Sequence, residues 1–293
     1  MDSPGAPDAR FVDLAALLRV EPAGPQRWRS VEGEGNIVGN VSGGQLLGQA
    51  CMAAAATVDA DRRLCALHGS FVAAGKVAEP VEYAVERIRD GRNFCQRAVV
   101  ASQSGRCLFR AELAFKAAEG GYEHQHVAAP DVPPPADLHC FADLRTRIPG
   151  PLPEPTARML ARPRPLDIRP VDPAALFGGR ARQARVRAWM RSALPLPACG
   201  AVHDAGFAYA SDFVLGAPVT VTHADYWMDG DHASASLNHA FWIHRPLRMD
   251  EWLLLDCDCP GISNGIAIGR GDYHTQAGVL AASVVQQMFI RRK

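Results

Sequence analysis

The sequence has no excess of charge of either sign, because its 293 residues include 31 lysines and arginines and 31 aspartates and glutamates. Nucleic-acid-binding domains are usually basic, so this balance argues against nucleic acid as a partner. No apolar run approaches the roughly 20 residues that a membrane-spanning helix needs, so no membrane span is expected. These absences leave a globular protein with a buried core as the class to consider.

The first ten residues also lack the apolar stretch of a secretory signal peptide, and we expect them to form a flexible tail. The eight cysteines are scattered along the chain. Only Cys257 and Cys259 are close in sequence, and no second pair follows to complete a zinc site. We therefore expect reduced thiols in a cytoplasmic protein, with no metal and no other cofactor.

Residues 42–58 form an alanine- and leucine-rich stretch that carries almost no charge. A helix that is apolar on nearly every side is a buried helix. Glycines at its beginning allow other backbone to approach closely. The stretch predicts a central helix covered by a sheet, and a packed core helix is its simplest interpretation.

An internal repeat follows from the order of helix and strand patterns. We predict a helix over residues 11–20 and a strand over 26–31 before the central helix. Alternating patterns predict strands near 64–72, 81–89, 94–102 and 107–116 in the first half, and near 184–192, 233–244, 252–258, 265–274 and 279–291 in the second. Two copies of a helix with a curved antiparallel sheet predict an α+β fold in which one architecture is duplicated.

Proline is concentrated between the two copies, since twelve of the 22 prolines lie in residues 130–173. This composition predicts a mostly extended connector with a short helix near residues 156–161. The predicted division of the chain is therefore a tail at 1–10, an N-terminal domain at 11–129, a linker at 130–173 and a C-terminal domain at 174–293.

Three polar residues interrupt the apolar pattern of the second copy only. Asp212 aligns with Gly44 and is predicted at the start of the second helix, while Ser236 and Gln286 are predicted on strands. A carboxylate can act as general base towards a water that a hydroxyl and an amide hold by hydrogen bonds. A helix N-terminus nearby can stabilise an oxyanion through its backbone N–H groups.

Each of the three has a simpler interpretation, and spacing alone does not choose between them. Asp212 is a residue type that caps helices. Ser236 is an ordinary strand hydroxyl in this interpretation. Gln286 is a surface side chain, since its neighbour Gln287 is equally well placed by sequence.

Several motifs, in the same order, resemble those of the acyl-CoA thioesterase II family. They lie at residues 43–50, 68–71, 89–94, 209–212, 238–246, 251–254 and 275–286. The resemblance covers nearly the whole chain apart from the tail and the proline-rich connector. It implies a double hotdog fold, with two tandem curved antiparallel sheets that each wrap around a central helix.

The resemblance also implies hydrolysis of fatty acyl-CoA thioesters by an activated water, with no covalent intermediate and no metal. The catalytic trio of that family falls on Asp212, Ser236 and Gln286, where Ser236 replaces the more usual threonine. We expect Gly44 and Gln45 to contribute to the substrate or oxyanion site. Asn238 is assigned there too, at a position where the family often has aspartate.

Two other functions stay open from the sequence. One is a hotdog-fold hydratase or dehydratase, for which His239 and the nearby Asp231 are a weak match. The other is a non-catalytic acyl-CoA-binding protein. We expect His68, His239 and His244 to be buried structural histidines. Because sheets of this kind have exposed edges, a homo-oligomer is expected.

Overall fold

The computed structural model describes residues 8–148, 150–177, 183–223 and 229–293. Residues 1–7 of the expected tail lie outside these ranges. Within them, no helix combines the length and the apolar character needed to cross a membrane.

Helices are few and short compared with the strands. The α-helices are α1 (Leu14–Leu18), α2 (Gly43–Ala55), α3 (Glu154–Ala161), α4 (Pro173–Phe177), α5 (Gly200–Ser211) and α6 (Ala217–Thr220), with 3₁₀ turns at Pro135–Asp137 and Phe141–Thr146. The two long central helices, α2 and α5, are buried along most of their length.

In the part of the chain that the structure describes, twelve strands form one continuous antiparallel sheet. They are β1 (Val20–Gly24), β2 (Arg27–Ser30), β3 (Arg62–Phe71), β4 (Glu82–Asp90), β5 (Phe94–Gln103), β6 (Arg106–Ala117), β7 (Leu166–Pro170), β8 (Arg185–Ser192), β9 (His232–Ile243), β10 (Leu253–Ser263), β11 (Ile266–Thr275) and β12 (Leu280–Arg292). Their order across the sheet is β1-β2-β4-β5-β6-β3-β9-β12-β11-β10-β8-β7.

The strand order shows the internal repeat directly. Read from each outer edge to the middle, the halves run β1-β2-β4-β5-β6-β3 and β7-β8-β10-β11-β12-β9, which is the same connectivity twice. The halves join where β3 pairs with β9, from Ala66 opposite Trp242 to Ser70 opposite Asn238. The fold is therefore the expected α+β double hotdog, with its two sheets joined edge to edge.

The central helices pack against each other in antiparallel orientation. Gly44 of α2 lies against Tyr209 of α5, and Gly48 lies against Ala205, one turn further along both helices. A Cβ atom at Gly48 would be 3.0 Å from the carbonyl oxygen of Ala205 and 2.3 Å from Leu18 Cδ2. At Gly44 a Cβ atom would be 2.7 Å from the carbonyl oxygen of Tyr209, closer than real Cβ atoms come to other atoms, so glycine sets the distance between the two helices.

The sequence predicted the main strands to within a few residues, and the differences have local causes. The first helix is shorter than expected because Arg19 is already extended and Val20 begins β1. The short helix expected near residues 156–161 is α3. Within the connector, β7 pairs with β8 as the outermost strand of the second half. The proposed division of the chain into domains stays a prediction.

The expected position of Asp212 along the second helix was wrong. Asp212 does not begin the second helix, since α5 runs from Gly200 to Ser211 and Asp212 is its C-terminal cap. The apolar segment that forms α5 begins soon after Pro197, twelve residues before the motif that drew attention to Asp212. Because α5 runs antiparallel to α2, its end and not its beginning meets the start of α2.

Replacing Gly48 by alanine tests the close helix contact. Alanine favours helix by about 1 kcal/mol over glycine, but the overlap with the buried Leu18 side chain and the tight contact with the Ala205 carbonyl oxygen should outweigh this gain. We expect the free energy of unfolding to fall by about 1–3 kcal/mol in urea titrations. Gly120→Ala is the control, because a Cβ there meets nothing within 4 Å. Equal stability of the two variants would contradict the packing described here.

Candidate active site

The three polar residues singled out from the repeat come together beneath the central helices. Asp212 follows the last residue of α5, Ser236 lies on β9, and Gln286 lies on the adjacent strand β12. The amide nitrogen of Gln286 donates a hydrogen bond of 2.6 Å to Ser236 Oγ. The same amide donates towards the Asp212 carboxylate. The structure thus brings together residues that are 24 to 74 positions apart in the chain.

A β-bulge in β9 makes this arrangement possible. Gln287 pairs with Asn238 and Met288 pairs with Ser236, so Leu237 is the extra residue between them. In a regular strand, Ser236 and His239 are three positions apart and would point to opposite faces. The bulge restores both side chains to the helix-facing side, on which Gln286 also lies.

A buried chain of hydrogen bonds continues from Gln286 to the end of α5. His239 Nδ1 is 2.6 Å from Gln286 Oε1. The other ring nitrogen, Nε2, is 2.8 Å from Ser211 Oγ. Ser211, His239 and Gln286 are each at most 2% exposed. Since Ser211 directly precedes Asp212, the chain connects the strands to the backbone that carries the carboxylate.

The N-terminus of α2 faces Asp212. A Cβ atom built on Gly43 would lie 2.5 Å from Asp212 Oδ2, so only glycine leaves space for the carboxylate. The backbone N–H of Gly44 donates to this carboxylate. The first N–H groups of a helix have no partners within the helix, and together with the helix dipole they favour negative charge.

The surroundings of Asp212 change its proton affinity. Desolvation is the main reason that the pKa of Asp212 is raised to about 6; within this net value the Gly44 N–H and the Gln286 amide lower the pKa, and the negative charge of Glu34 raises it by a smaller amount. Asp212 is therefore ionised at neutral pH and can still accept a proton with useful strength. This is the balance expected of a general base.

The carboxylate of Glu34 is occupied by two partners. Its carboxylate accepts a 2.7 Å hydrogen bond from the Tyr209 hydroxyl and pairs with Arg162 at 2.9 Å. Tyr209 is on α5, one turn before Asp212. Glu34 thus acts on Asp212 through its charge, and its own carboxylate oxygens are occupied.

Gln45 and Asn238 occupy different surroundings from the trio. The Gln45 side chain is buried, accepts a 2.5 Å hydrogen bond from the Glu34 N–H and donates to Gln49 at 3.1 Å. Asn238 is exposed and donates to Gln287 at 3.0 Å, on the face of the sheet away from the helices. The structure does not bring either side chain to Asp212.

Of the three histidines expected to be buried, only His239 is. His68 is exposed because its position on β3 points to the outer face of the sheet, and His244 is exposed just after the end of β9. His239 does not pair with Asp231, which is exposed and accepts a hydrogen bond from the Lys293 N–H through its backbone oxygen. The histidine–carboxylate pair that a hydratase would need is absent at these two residues.

Sequence reasoning did not find four contributors to this site. Ser211, Glu34 and the Gly43 contact were not expected, and His239 was expected only to fill space. Two of them had a signal in the sequence, since Gly43 lies in the motif at residues 43–50 and Ser211 directly precedes Asp212. Glu34 had no signal, because its contact with the site depends on a loop that folds back over α5.

Comparison with known proteins agrees with this geometry. The family model described as the acyl-CoA thioesterase N-terminal domain matches residues 33–116, and that of the C-terminal domain matches residues 141–290. The chain belongs to the acyl-CoA thioesterase II family. The first half of the repeat thus corresponds to the N-terminal domain of the family, and the second half to its C-terminal domain.

Relatives within this family match along nearly the whole chain. Human acyl-coenzyme A thioesterase 8 is 32% identical over 314 aligned positions, which cover 100% of this chain and 92% of that protein. The crystal structure of the acyl-CoA thioesterase II TesB2 from Mycobacterium marinum is 32% identical, with a TM-score of 0.77 and coverage of 96% and 98%. A hotdog-fold protein of unknown function from Alicyclobacillus acidocaldarius, 21% identical, has a TM-score of 0.77 over 96% and 98%, and agrees in fold.

The raised pKa of Asp212 predicts how Asp212→Asn changes stability with pH. The unfolded carboxyl ionises near pH 4, whereas the folded one binds its proton up to about pH 6. Wild-type protein therefore loses stability relative to the neutral variant as the pH rises through this window. In denaturant titrations, the free energy of unfolding of Asp212→Asn minus that of the wild type should increase from pH 4 to pH 6.5 and then level off. A difference that is constant over this range would contradict the raised pKa.

Proposed function

We propose that this protein hydrolyses acyl-CoA thioesters to a free carboxylic acid and CoA, with Asp212 as general base. The observation that carries the proposal is the cluster of Asp212, Gln286 and Ser236 at the N-terminus of α2. The Asp212 carboxylate has a pKa of about 6 and lies beside the first N–H groups of α2. Membership of the thioesterase family supports the same reaction.

In the proposed first step, a water held by the cluster attacks the thioester carbonyl carbon. Asp212 takes a proton from this water as the new carbon–oxygen bond forms. Ser236 orients the water through its hydroxyl, and the Gln286 amide holds the Ser236 hydroxyl and the Asp212 carboxylate in place around it. The carbonyl oxygen becomes an oxyanion, for which the Gln45 N–H at the start of α2 is the proposed donor, while Gly44 contributes through its N–H to the Asp212 carboxylate.

In the second step, the tetrahedral intermediate collapses and the carbon–sulfur bond breaks. The leaving thiolate receives the proton that Asp212 accepted, so the carboxylate is ready for another turnover. No covalent bond to the protein forms in this sequence. Asn238 contributes, in this proposal, only through its hydrogen bond across the outer face of β9 and β12.

We also propose that the protein acts in fatty acid metabolism in the cytoplasm and forms a homo-oligomer. In the described residues the sheet ends in the edge strands β1 and β7; β7 is buried, whereas β1 is largely exposed and offers an edge for association. Light scattering coupled to size-exclusion chromatography tests the oligomer directly, since a mass of 31.5 kDa identifies the monomer.

Removing the base should abolish turnover. Asp212→Asn keeps the size of the side chain but cannot accept the proton, so we expect kcat for thiol release from acyl-CoA to fall by at least about 100-fold. Wild-type kcat should rise with pH through about 6 and then reach a plateau, because only the ionised carboxylate is active.

Two measurements separate this mechanism from the alternatives. Calorimetry should show that Asp212→Asn still binds acyl-CoA, and Asp61→Asn, at an exposed turn, should keep wild-type activity. Wild-type binding without release of thiol would favour a binding protein, and water addition to enoyl-CoA without release would favour a hydratase. Full activity of Asp212→Asn would remove Asp212 from the mechanism.

Ser236 offers a graded test of the hydroxyl. Ser236→Thr retains the oxygen that accepts the Gln286 amide, so kcat should stay within about threefold of wild type. Ser236→Ala removes it and should lower kcat by about 10- to 100-fold. If alanine and threonine give the same rate in the thiol-release assay, the hydroxyl has no part in the reaction.

A further inference from the structure

We propose that His239 is a positioning residue that locks the Gln286 amide with its NH₂ group towards Asp212 and Ser236. This inference rests on the function proposed above for those three residues. It extends the site from three residues to a directed chain that begins at Ser211.

The direction of the chain follows from what each group can donate or accept. The amide oxygen of Gln286 only accepts, and its nitrogen only donates. The ionised Asp212 carboxylate only accepts, so the amide nitrogen must face it, as it faces Ser236 Oγ at 2.6 Å. The oxygen then faces His239 Nδ1 at 2.6 Å, and Nδ1 must carry the ring proton to donate.

The second ring nitrogen completes the chain. With the proton on Nδ1, His239 Nε2 is an acceptor, and the Ser211 hydroxyl at 2.8 Å is its donor. Ser211 Oγ also lies 2.8 Å from the Ala208 carbonyl oxygen, within the same helix, but its single hydrogen serves the ring nitrogen in this arrangement. The polarity therefore runs from Ser211 through His239 and Gln286 to Asp212.

The imidazole of His239 is neutral when it makes these two hydrogen bonds. Burial lowers the pKa of His239 to about 4, against the Gln286 hydrogen bond, which raises it. One nitrogen is then a donor and the other an acceptor throughout the working pH range of the enzyme. The ring therefore presents a constant hydrogen-bond donor to Gln286.

Space filling alone does not require a histidine here. Phe241 is two positions along β9, on the same face, and is fully buried against Phe207 of α5 with ring centroids 5.3 Å apart. An apolar ring thus fits beneath this helix. At His239, both nitrogens of the ring meet polar partners, and without them the Gln286 amide could turn its oxygen towards Asp212.

Two substitutions at His239 separate positioning from packing. His239→Phe keeps a ring but removes both nitrogens, and we expect kcat to fall about 10- to 100-fold with KM little changed. The loss of the amide N–H at Asp212, beside the charge of Glu34, should also move the midpoint of the kcat–pH profile upwards from about 6. His239→Asn places an amide N–H near the Nδ1 position, so it should recover most of kcat and the original midpoint.

His203→Phe is the matched control. His203 is also buried, lies on α5, and accepts the Met249 N–H at Nδ1, 3.1 Å away, but it is remote from the trio in its contacts. This variant should lose stability without a shift of the pH midpoint. If His239→Phe does not fold, Ser211→Ala provides the same test from the other end of the chain, with a smaller change in the same direction.

Unchanged kcat and midpoint in His239→Phe would overturn the positioning role, as would equal losses in the phenylalanine and asparagine variants with an unchanged midpoint. These failures are distinguishable from failure of the proposed function. An inactive Asp212→Asn beside a fully active His239→Phe rejects only the role of His239. An active Asp212→Asn rejects the mechanism itself.

Discussion

The close antiparallel contact of α2 with α5 determines where every group of the site lies. Glycines at 44 and 48 let the two helices approach until backbone meets backbone. The N-terminus of α2 consequently reaches the C-terminus of α5, and Gly43 leaves the space that the Asp212 carboxylate occupies. One helix from each half of the repeat is needed to form this contact, so neither half contains the site alone.

This contact places a carboxylate where ionisation is unfavourable for folding and, in the proposed mechanism, useful for catalysis. Desolvation and Glu34 raise the proton affinity of Asp212, and donated hydrogen bonds limit the effect. A base with a pKa near 6 is ionised at neutral pH and retains more proton affinity than an exposed aspartate. The buried charge of Asp212 lowers the stability of the folded protein, and the same charge is needed for the proposed activity.

The polar groups around Asp212 are buried, and buried polar groups need partners. The path from Ser211 through His239 to Gln286 supplies them with groups from α5, β9 and β12. The bulge at Leu237 makes this path possible, because it turns Ser236 and His239 to the same side. Across the sheet, Asn238 and Gln287 form a separate exposed pair, which explains why Gln286 and not its neighbour joins the site.

The sequence by itself determined the buried helix, the antiparallel strands, the repeat and the identity of Asp212, Ser236 and Gln286 as unusual polar residues. These features can be read from the sequence because each depends on the spacing and type of residues that are close together in the chain. Only the tertiary structure decided that Asp212 ends its helix, that His239 is buried while His68 and His244 are exposed, and that Glu34 reaches the site. These outcomes depend on a one-residue bulge and on the direction in which two helices cross, and neither leaves a periodic signal in the chain.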